Sequence, residues 1–238
     1  MRGSTGCGAR ANEAHATLAV VIVVVGNPVA MRRTTSLELD AGGPAVAIAR
    51  SAVAHGSAVQ LVGRIGDDPA GDGVVGALAR RGIGHAALAR VAGFATPVAE
   101  EPSGPTDEID PFGDDGTTGV REPRPAVAAG TELDAGDLDL ALRYLGSFTA
   151  IVLTGGLSGE AFRAAFDAVG YAGAALVVIR EPGAGALDVP ADALVLEAPP
   201  TADGEASFAS LVGRLAAALD RGIAPRAAFD AALSGSPI

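Results

Sequence analysis

The sequence predicts an α/β fold, in which a parallel sheet carries helices on both faces. Short apolar runs alternate with segments of helical periodicity along most of the 238 residues, which is typical of strand–helix–strand units. Glycine-rich turns follow the predicted strands. Ligands of such sheets bind beyond the carboxyl ends of the strands, so we expect any functional site to lie at that edge.

The first predicted strand is Leu18–Val25, an apolar run that is β-branched throughout after Ala19. This composition is typical of a strand buried on both faces. The run is far shorter than the roughly 20 residues that span a bilayer. A signal peptide is the alternative interpretation, because Arg2 and Arg10 precede the run. The β-branched composition favours the strand, and we expect a cytoplasmic protein without a membrane partner.

The first helix is predicted to open at Gly42-Gly43-Pro44, because apolar residues recur at helical spacing from Ala45 to Val53. Asp68, followed by Pro69, is typical of a residue that caps the start of a helix. The helix that Asp68 caps is predicted to run through Val74 and Leu78 and to end at Gly82. The other elements are predicted as strands at Val59–Val62, Ala150–Leu153, Ala174–Ile179 and Ala193–Leu196, and as helices from Asp134 to Leu145, Ser158 to Val169, Ser207 to Leu219 and Ala227 to Leu233.

Two segments fall outside this alternation. Residues 1–15 are small and polar without periodicity, and we expect a disordered arm there, followed by one α/β domain over residues 16–238. Residues 99–125 are rich in acidic residues, proline and glycine, which is typical of a solvated loop. A metal site built from its carboxylates is the alternative, although the spacing is not that of a calcium loop.

Composition excludes several classes of function. The net charge is −11, and a surface that binds nucleic acid needs an excess of basic residues. All basic side chains are arginine, which excludes a Walker A lysine and a Schiff-base lysine. Cys7 is the single cysteine, so no disulfide framework is available. We expect His15, His55 and His85 to be surface or turn residues, because none has a catalytic partner at a recognisable spacing.

Three stretches carry a resemblance to a known family. The first runs from Gly42-Gly43-Pro44 through Val62-Gly63-Arg64-Ile65-Gly66-Asp67-Asp68 to Gly82-Ile83. Leu133–Leu138 and the helix from Ser207 to Ile223 follow in the same order as in that family. Together they resemble the ribokinase-like (PfkB) carbohydrate kinases, in a shortened and divergent form, over most of residues 20–233.

The resemblance implies a three-layer ribokinase-like sheet and the transfer of a phosphoryl group from ATP, with Mg²⁺, to the hydroxyl of a sugar or nucleoside. In that family a Gly-Ala-Gly-Asp turn at a helix start holds the phosphate, and its Asp is the general base. Lid strands cover the sugar and often pair two subunits, so a homodimer is implied as an open alternative. Only Arg32 to Ala41 are available for the lid here, which predicts a lid that is reduced or absent.

Carried over by position, the family's base falls on Ala206 and its glycine-rich turn on Asp203-Gly204-Glu205. Asp203 and Glu205 are therefore the candidate catalytic stand-ins, and Gly204 the candidate cofactor-binding residue. The sugar-binding Asp falls on Met31, and the Asn after the double glycine on Ala47. The Asn-x-x-Glu pattern that organises magnesium would begin near Glu197 and is absent. The candidate substrate-binding residues are Asn27, Gly42 and Gly43, and no metal ligands are predicted.

Three interpretations follow from these replacements. The chain is a PfkB-type kinase in which catalysis is impaired, with Asp203 or Glu205 in place of the base. Alternatively, it is a non-catalytic pseudo-kinase that serves as a binding or interaction module. In the third interpretation it is an unrelated nucleotide-binding α/β protein, which an unrelated strand order would support. Structural roles remain open as alternatives. Asp203 and Glu205 can be acids in the first turn of a helix, where negative charge is favoured, and Gly42-Gly43 can form a tight turn.

Overall fold

The protein is described here by a computed structural model that covers residues 21–33, 38–100, 132–183, 188–201 and 204–235. Its centre is a six-stranded parallel sheet. The strands are β1 (Val21–Val25), β4 (Val59–Gly66), β5 (Leu88–Val91), β7 (Phe148–Leu153), β8 (Ala175–Arg180) and β9 (Leu194–Glu197). They lie in the order β5-β4-β1-β7-β8-β9, so β1 and β7 are central and β5 and β9 are the two edges.

Helices cover both faces of this sheet. On one face lie α1 (Pro44–Ala54), α2 (Pro69–Arg80), α5 (Glu205–Asp220) and α6 (Pro225–Ser234), and on the other lie α3 (Ala135–Leu145) and α4 (Gly159–Ala172). The side chains of β1 divide between the two cores, with Ile22 and Val24 in the first and Val23 and Val25 in the second. This alternation explains why the whole strand is apolar. The predicted three-layer α/β fold is confirmed.

A second, smaller sheet stands beside the first. It consists of β2 (Val29–Arg32), β3 (Leu39–Gly42) and β6 (Val98–Glu100), in the order β3-β2-β6. β2 pairs with β3 in antiparallel and with β6 in parallel orientation. The end of β2 and the start of β3 fall in the segment in which the family resemblance places a lid.

The predicted helices and central strands are present, with ends that differ by a few residues. The predicted alternation of strands and helices was wrong in one respect, because it did not include the strands β2, β3, β5 and β6. These strands have three or four residues each, and β5 and β6 pair with strands that are not their neighbours across a short turn. So short a segment carries little local signal, because its partners decide its conformation.

Asp68 caps α2 as predicted, and it also binds the backbone of Thr96, which precedes β6 in the second sheet. One carboxylate oxygen accepts the Gly71 N–H at 2.7 Å, and the other accepts the Thr96 N–H at 2.8 Å. The buried Thr96 hydroxyl donates to Asp68 and accepts the Gly66 N–H, both at 2.8 Å. These hydrogen bonds hold the pKa of Asp68 below its ordinary value, with the Gly71 N–H as the largest cause. The start of α2 and the segment that leads into β6 are therefore tied together.

Several predictions concern residues outside the described part of the chain. The N-terminal arm at residues 1–15, with Cys7 and His15, lies outside it, as does the acidic loop from residue 101 onward. Among the described residues, no helix combines the length and the hydropathy that crossing a bilayer requires. His55 ends α1, and its Nδ1 lies 2.8 Å from the carbonyl oxygen of Ser51. The Nδ1 of His85 lies 3.2 Å from the carbonyl oxygen of Ile83. Both have the predicted turn positions.

Candidate functional site

The carboxyl ends of the two central strands meet at Gly26 and Thr154. The Thr154 N–H and hydroxyl both donate to the carbonyl oxygen of Val25, at 3.0 and 2.9 Å. A Cβ on Gly26 would collide with the Thr154 hydroxyl and would meet the Cβ of Ala45, at the start of α1, at 3.0 Å. Gly26 therefore allows β1, β7 and α1 to converge at the edge where parallel sheets bind ligands.

A narrow cleft of about 20 Å³ lies at this edge, where the N-terminal ends of α1 and α5 face each other. Most of its wall is apolar, including Pro44, Ile48 and Phe208. Its polar side chains are Thr154, Glu181 and Glu205. A cavity of this volume has room for about one water molecule.

The start of α5 is the position in which the family resemblance places the phosphate-binding turn. Gly204 is the residue before the helix, and no side chain caps it. Glu205 is in the first turn and lines the cleft, whereas Ala206 is exposed. The ring of Pro199 covers Gly204 so closely that a Cβ there would lie 2.9 Å from the Cβ of Pro199. Asp203, the other candidate stand-in, lies outside the described residues.

The double glycine has two different roles. Gly43 precedes α1 with a φ of 93°, a conformation that favours glycine. Gly42 ends β3, and the thioether side chain of Met31 on β2 packs directly on its Cα, where a Cβ would lie 2.8 Å from the sulfur. Met31, the position on which the resemblance places a sugar-binding Asp, therefore covers the first glycine of the pair.

Asn27 follows β1 and forms a tie between strands. Its side-chain oxygen accepts the backbone N–H of Arg64 on β4 at 2.8 Å. The neighbouring Gly63 has no room for a Cβ, which would lie 2.5 Å from the Gly26 carbonyl oxygen. This oxygen of Asn27 thus holds β4 beside the end of β1, which is a structural role for a residue predicted to bind substrate.

The Arg64 side chain reaches across the same edge to the beginning of α3. Its guanidinium donates to Asp137 at 2.8 and 2.5 Å, to Asp134 at 2.6 Å and to the Glu132 carbonyl oxygen at 2.7 Å. Asp134 also caps α3 by accepting the Asp137 N–H at 2.9 Å. That N–H is the main reason why the pKa of Asp134 lies below its ordinary value, and Arg64 adds to the effect. We call these residues the Arg64 cluster.

The residues of the cleft do not fit ATP and Mg²⁺. A nucleotide pocket has a volume of several hundred Å³, whereas this cleft has about 20 Å³. The described polar side chain at the α5 end is the carboxylate of Glu205, which repels phosphate. Among the residues that the structure describes, no group of three or more His, Cys, Asp or Glu side chains could hold a metal ion.

The structure brings some of the predicted residues together and separates others. Gly204 and Glu205 adjoin the cleft and Gly43 precedes the helix on its opposite side, whereas Asn27 serves β4. Thr154 and Glu181 line the cleft without having been predicted as site residues. Thr154 directly follows the predicted strand Ala150–Leu153, and Glu181 lies two residues after the predicted strand Ala174–Ile179. Their positions at strand ends are the sequence signal by which they could have been predicted.

Comparisons with known proteins agree with the fold. The family model described as pfkB family carbohydrate kinase matches residues 15–99. No curated protein matches the chain in sequence. A PfkB protein from Polaromonas sp. JS666 is 16% identical with a TM-score of 0.59, over 90% of this chain and 93% of that one. Arabidopsis thaliana ribokinase, solved with ribose and ATP, is 15% identical with a TM-score of 0.55, over 92% of each chain.

The two kinds of comparison support each other. The family model covers the first signature that the sequence analysis quoted, from the first strand to the residues just before Glu100. The solved structures share the arrangement of the central sheet and its helices along nearly the whole chain. This chain is therefore similar to the pfkB family of carbohydrate kinases in sequence over residues 15–99 and to solved kinases of ribokinase-like fold along nearly its whole length.

Proposed function

We propose that this protein is a PfkB-type carbohydrate kinase homologue in which phosphoryl transfer from ATP to a sugar or nucleoside hydroxyl is impaired. The observation that carries the proposal is the start of α5. Glu205 and Ala206 stand there in place of the glycine and the base that the resemblance implies, and Glu205 lines the cleft. Each replacement removes a different contribution to catalysis.

The first contribution is stabilisation of the phosphoryl group. A helix start attracts anions, because its N–H groups are free and its dipole is positive there. The carboxylate of Glu205 already benefits from this field. A phosphate in the same place would meet a like charge, and two unit charges 4 Å apart repel each other by about 4 kcal/mol at the effective dielectric of a protein surface.

The second contribution is proton transfer, for which a positioned base supplies roughly 10²- to 10⁴-fold in rate. Ala206 has no group that can accept a proton. On the sugar side, Met31 covers Gly42 with an apolar thioether, which offers no strong hydrogen bond to a hydroxyl. Binding and chemistry are thus weakened on both sides of the reaction.

A second candidate function is that of a non-catalytic module that binds a partner. The small volume of the cleft and the contact of Pro199 with Gly204 favour it. In this case the protein would retain the kinase fold and would not bind nucleotide at all. The two candidates differ in whether any Mg²⁺–ATP binding remains.

Two measurements separate these candidates. Transfer of the labelled γ-phosphate of ATP to a panel of sugars and nucleosides tests the chemistry, and we expect no product above the buffer control. Titration calorimetry with Mg²⁺–ATP tests binding. Weak binding without transfer would support an impaired kinase, and absence of binding would support the module. Rapid transfer to any member of the panel would contradict both.

A further inference from the structure

The outer edge of β9 carries backbone groups that no described strand pairs with. β9 hydrogen-bonds to β8 and is the last strand of the sheet. The Ala198 N–H donates to the Arg180 carbonyl oxygen at 2.8 Å, so Ala198 points inward. Every second residue of a parallel strand faces the same neighbour. Leu194 and Leu196 therefore also point their backbone groups inward, and Val195 and Glu197 point theirs outward.

The side chains of β9 leave this edge open. Leu194 and Leu196 pack against the main core, which holds the strand in place. Val195, at the centre of the strand, is 39% exposed, and Glu197 is exposed. The opposite edge differs, because β5 carries Arg90, whose guanidinium is 2.7 Å from Asp72 on α2. Charged side chains are a common protection of edge strands against further pairing, and the centre of β9 has none.

The surroundings of this edge are acidic. Exposed carboxylates lie before β9 at Asp188 and Asp192 and at its end on Glu197. Arg180, the register partner of Glu197, is the basic residue among them. An extended segment that pairs with β9 would thus lie between carboxylates, and basic side chains on that segment would be favoured.

We propose that the outer edge of β9 is a docking site for an extended, basic segment of a partner protein, which adds a strand to the sheet beside Val195 and Glu197. Backbone hydrogen bonds to these two residues would supply the affinity, and the carboxylates would supply the selectivity. The proposal does not depend on whether the protein retains kinase activity.

A second copy of this chain is a less favourable occupant. Pairing of β9 with itself would bring the acidic surroundings of two copies together, in a chain whose net charge is −11. The oligomeric state is therefore one of the outcomes that the test must measure.

The test uses two short synthetic peptides, one of alternating Arg and Val and one of alternating Glu and Val. Binding to the full chain is followed by the backbone amide signals in nuclear magnetic resonance. We expect the Arg–Val peptide to shift the signals of Val195 and Glu197 and to bind at least about tenfold more tightly than the Glu–Val peptide, a difference equivalent to about 1.4 kcal/mol.

The variant Val195→Pro removes an outward N–H and none of the hydrogen bonds to β8, a substitution that edge strands tolerate. We expect it to abolish binding, whereas the control Val195→Thr keeps the N–H and should bind. Should Val195→Pro fail to fold, Glu197→Arg provides a second test, because it should reduce the preference for the basic peptide. Equal binding of both peptides, or binding that persists in Val195→Pro, would overturn the proposal. A wild-type dimer that Val195→Pro dissociates would also overturn it, in favour of a second copy.

Discussion

Asp40 on β3 and Arg81 at the end of α2 form a bidentate ion pair, with both carboxylate oxygens hydrogen-bonded to the guanidinium. Both side chains are about four-fifths buried, at 18% and 22% exposure, and Arg33 lies 3.4 Å from the same carboxylate. The hydrogen bond from Arg81 is the main reason why the pKa of Asp40 lies below its ordinary value. The pair fastens the second sheet to the helix that packs beside it.

Replacement of Asp40 by Asn should lower the free energy of unfolding by about 1–2 kcal/mol, the range for a charge-assisted hydrogen bond that is partly exposed. Urea unfolding at neutral pH measures it. The control is Asp139→Asn, which removes the exposed pair of Asp139 with Arg143 at 2.9 Å. That variant should change the free energy by less than about 0.5 kcal/mol. Equal effects of the two variants would contradict the assigned role of Asp40.

The same pair predicts a pH dependence. Because the pKa of Asp40 is lower in the folded than in the unfolded protein, the unfolded protein binds the proton more readily. The stabilisation is therefore complete above the unfolded value of about 3.9 and is lost as the pH falls through the lower folded value. The difference in stability between wild type and Asp40→Asn should shrink over this acidic range. A difference that is constant down to the lowest pH would contradict it.

Replacement of Thr96 by Val should destabilise the protein by about 1–3 kcal/mol, because it leaves the buried Gly66 N–H without its acceptor. Thr96→Ser keeps the hydroxyl and should restore most of the loss. Thermal unfolding followed by circular dichroism compares the two variants. If Thr96→Ser, which loses only the methyl group, were as destabilising as Thr96→Val, which loses only the hydroxyl, the hydrogen bonds of Thr96 would not be its main contribution.

Replacement of Gly26 by Ala should destabilise the protein by about 1–3 kcal/mol through overpacking against Thr154 and Ala45. The double variant with Thr154→Ala should recover part of the loss. Gly159→Ala is the control, since no atom lies near the added methyl group, and it should leave stability unchanged or raise it by up to about 1 kcal/mol. A stable Gly26→Ala protein would show that β1, β7 and α1 can separate at this edge.

The variant Ala206→Asp, which places a carboxylate at the family's base position, should not restore phosphoryl transfer. Glu205 and Pro199 would still occupy the region that a phosphate needs. Ala206→Asn is the control for the change of side-chain size. Measured ATP-dependent product formation should be at background for both variants, and a large gain from Ala206→Asp alone would show that the turn can still hold a phosphate.

The central fold could be predicted from the sequence because its signals are local. The β-branched run of β1, the periodicity of α1 and the Asp68–Pro69 pair each act within one element. The strands β2, β3 and β6 could not be predicted in this way. Residues such as Arg32 and Asp40 are unremarkable in a loop, and their strand conformation depends on pairing with other strands, of Arg32 with Glu100 and of Asp40 with Met31.

The candidate site could be predicted only in part, for a similar reason. The position of α5 followed from its helical stripe, and with it the place of Glu205. The side-chain oxygen of Asn27 accepts the Arg64 N–H because of the register in which β1 pairs with β4. No sequence motif indicates this register, so the contact could not be predicted. The contact of Met31 with Gly42 likewise requires the antiparallel pairing of β2 and β3.

The Arg64 cluster has a consequence for how the chain is anchored. It anchors the backbone at residues 132–137, while the pairing of β6 with β2 anchors the backbone at Glu100. Both anchors consist of contacts between described residues that lie far apart in the chain. A change in the number of residues between Glu100 and Glu132 would leave each of these contacts as it is. The two anchors therefore keep the second sheet and the start of α3 in place independently of chain length between them.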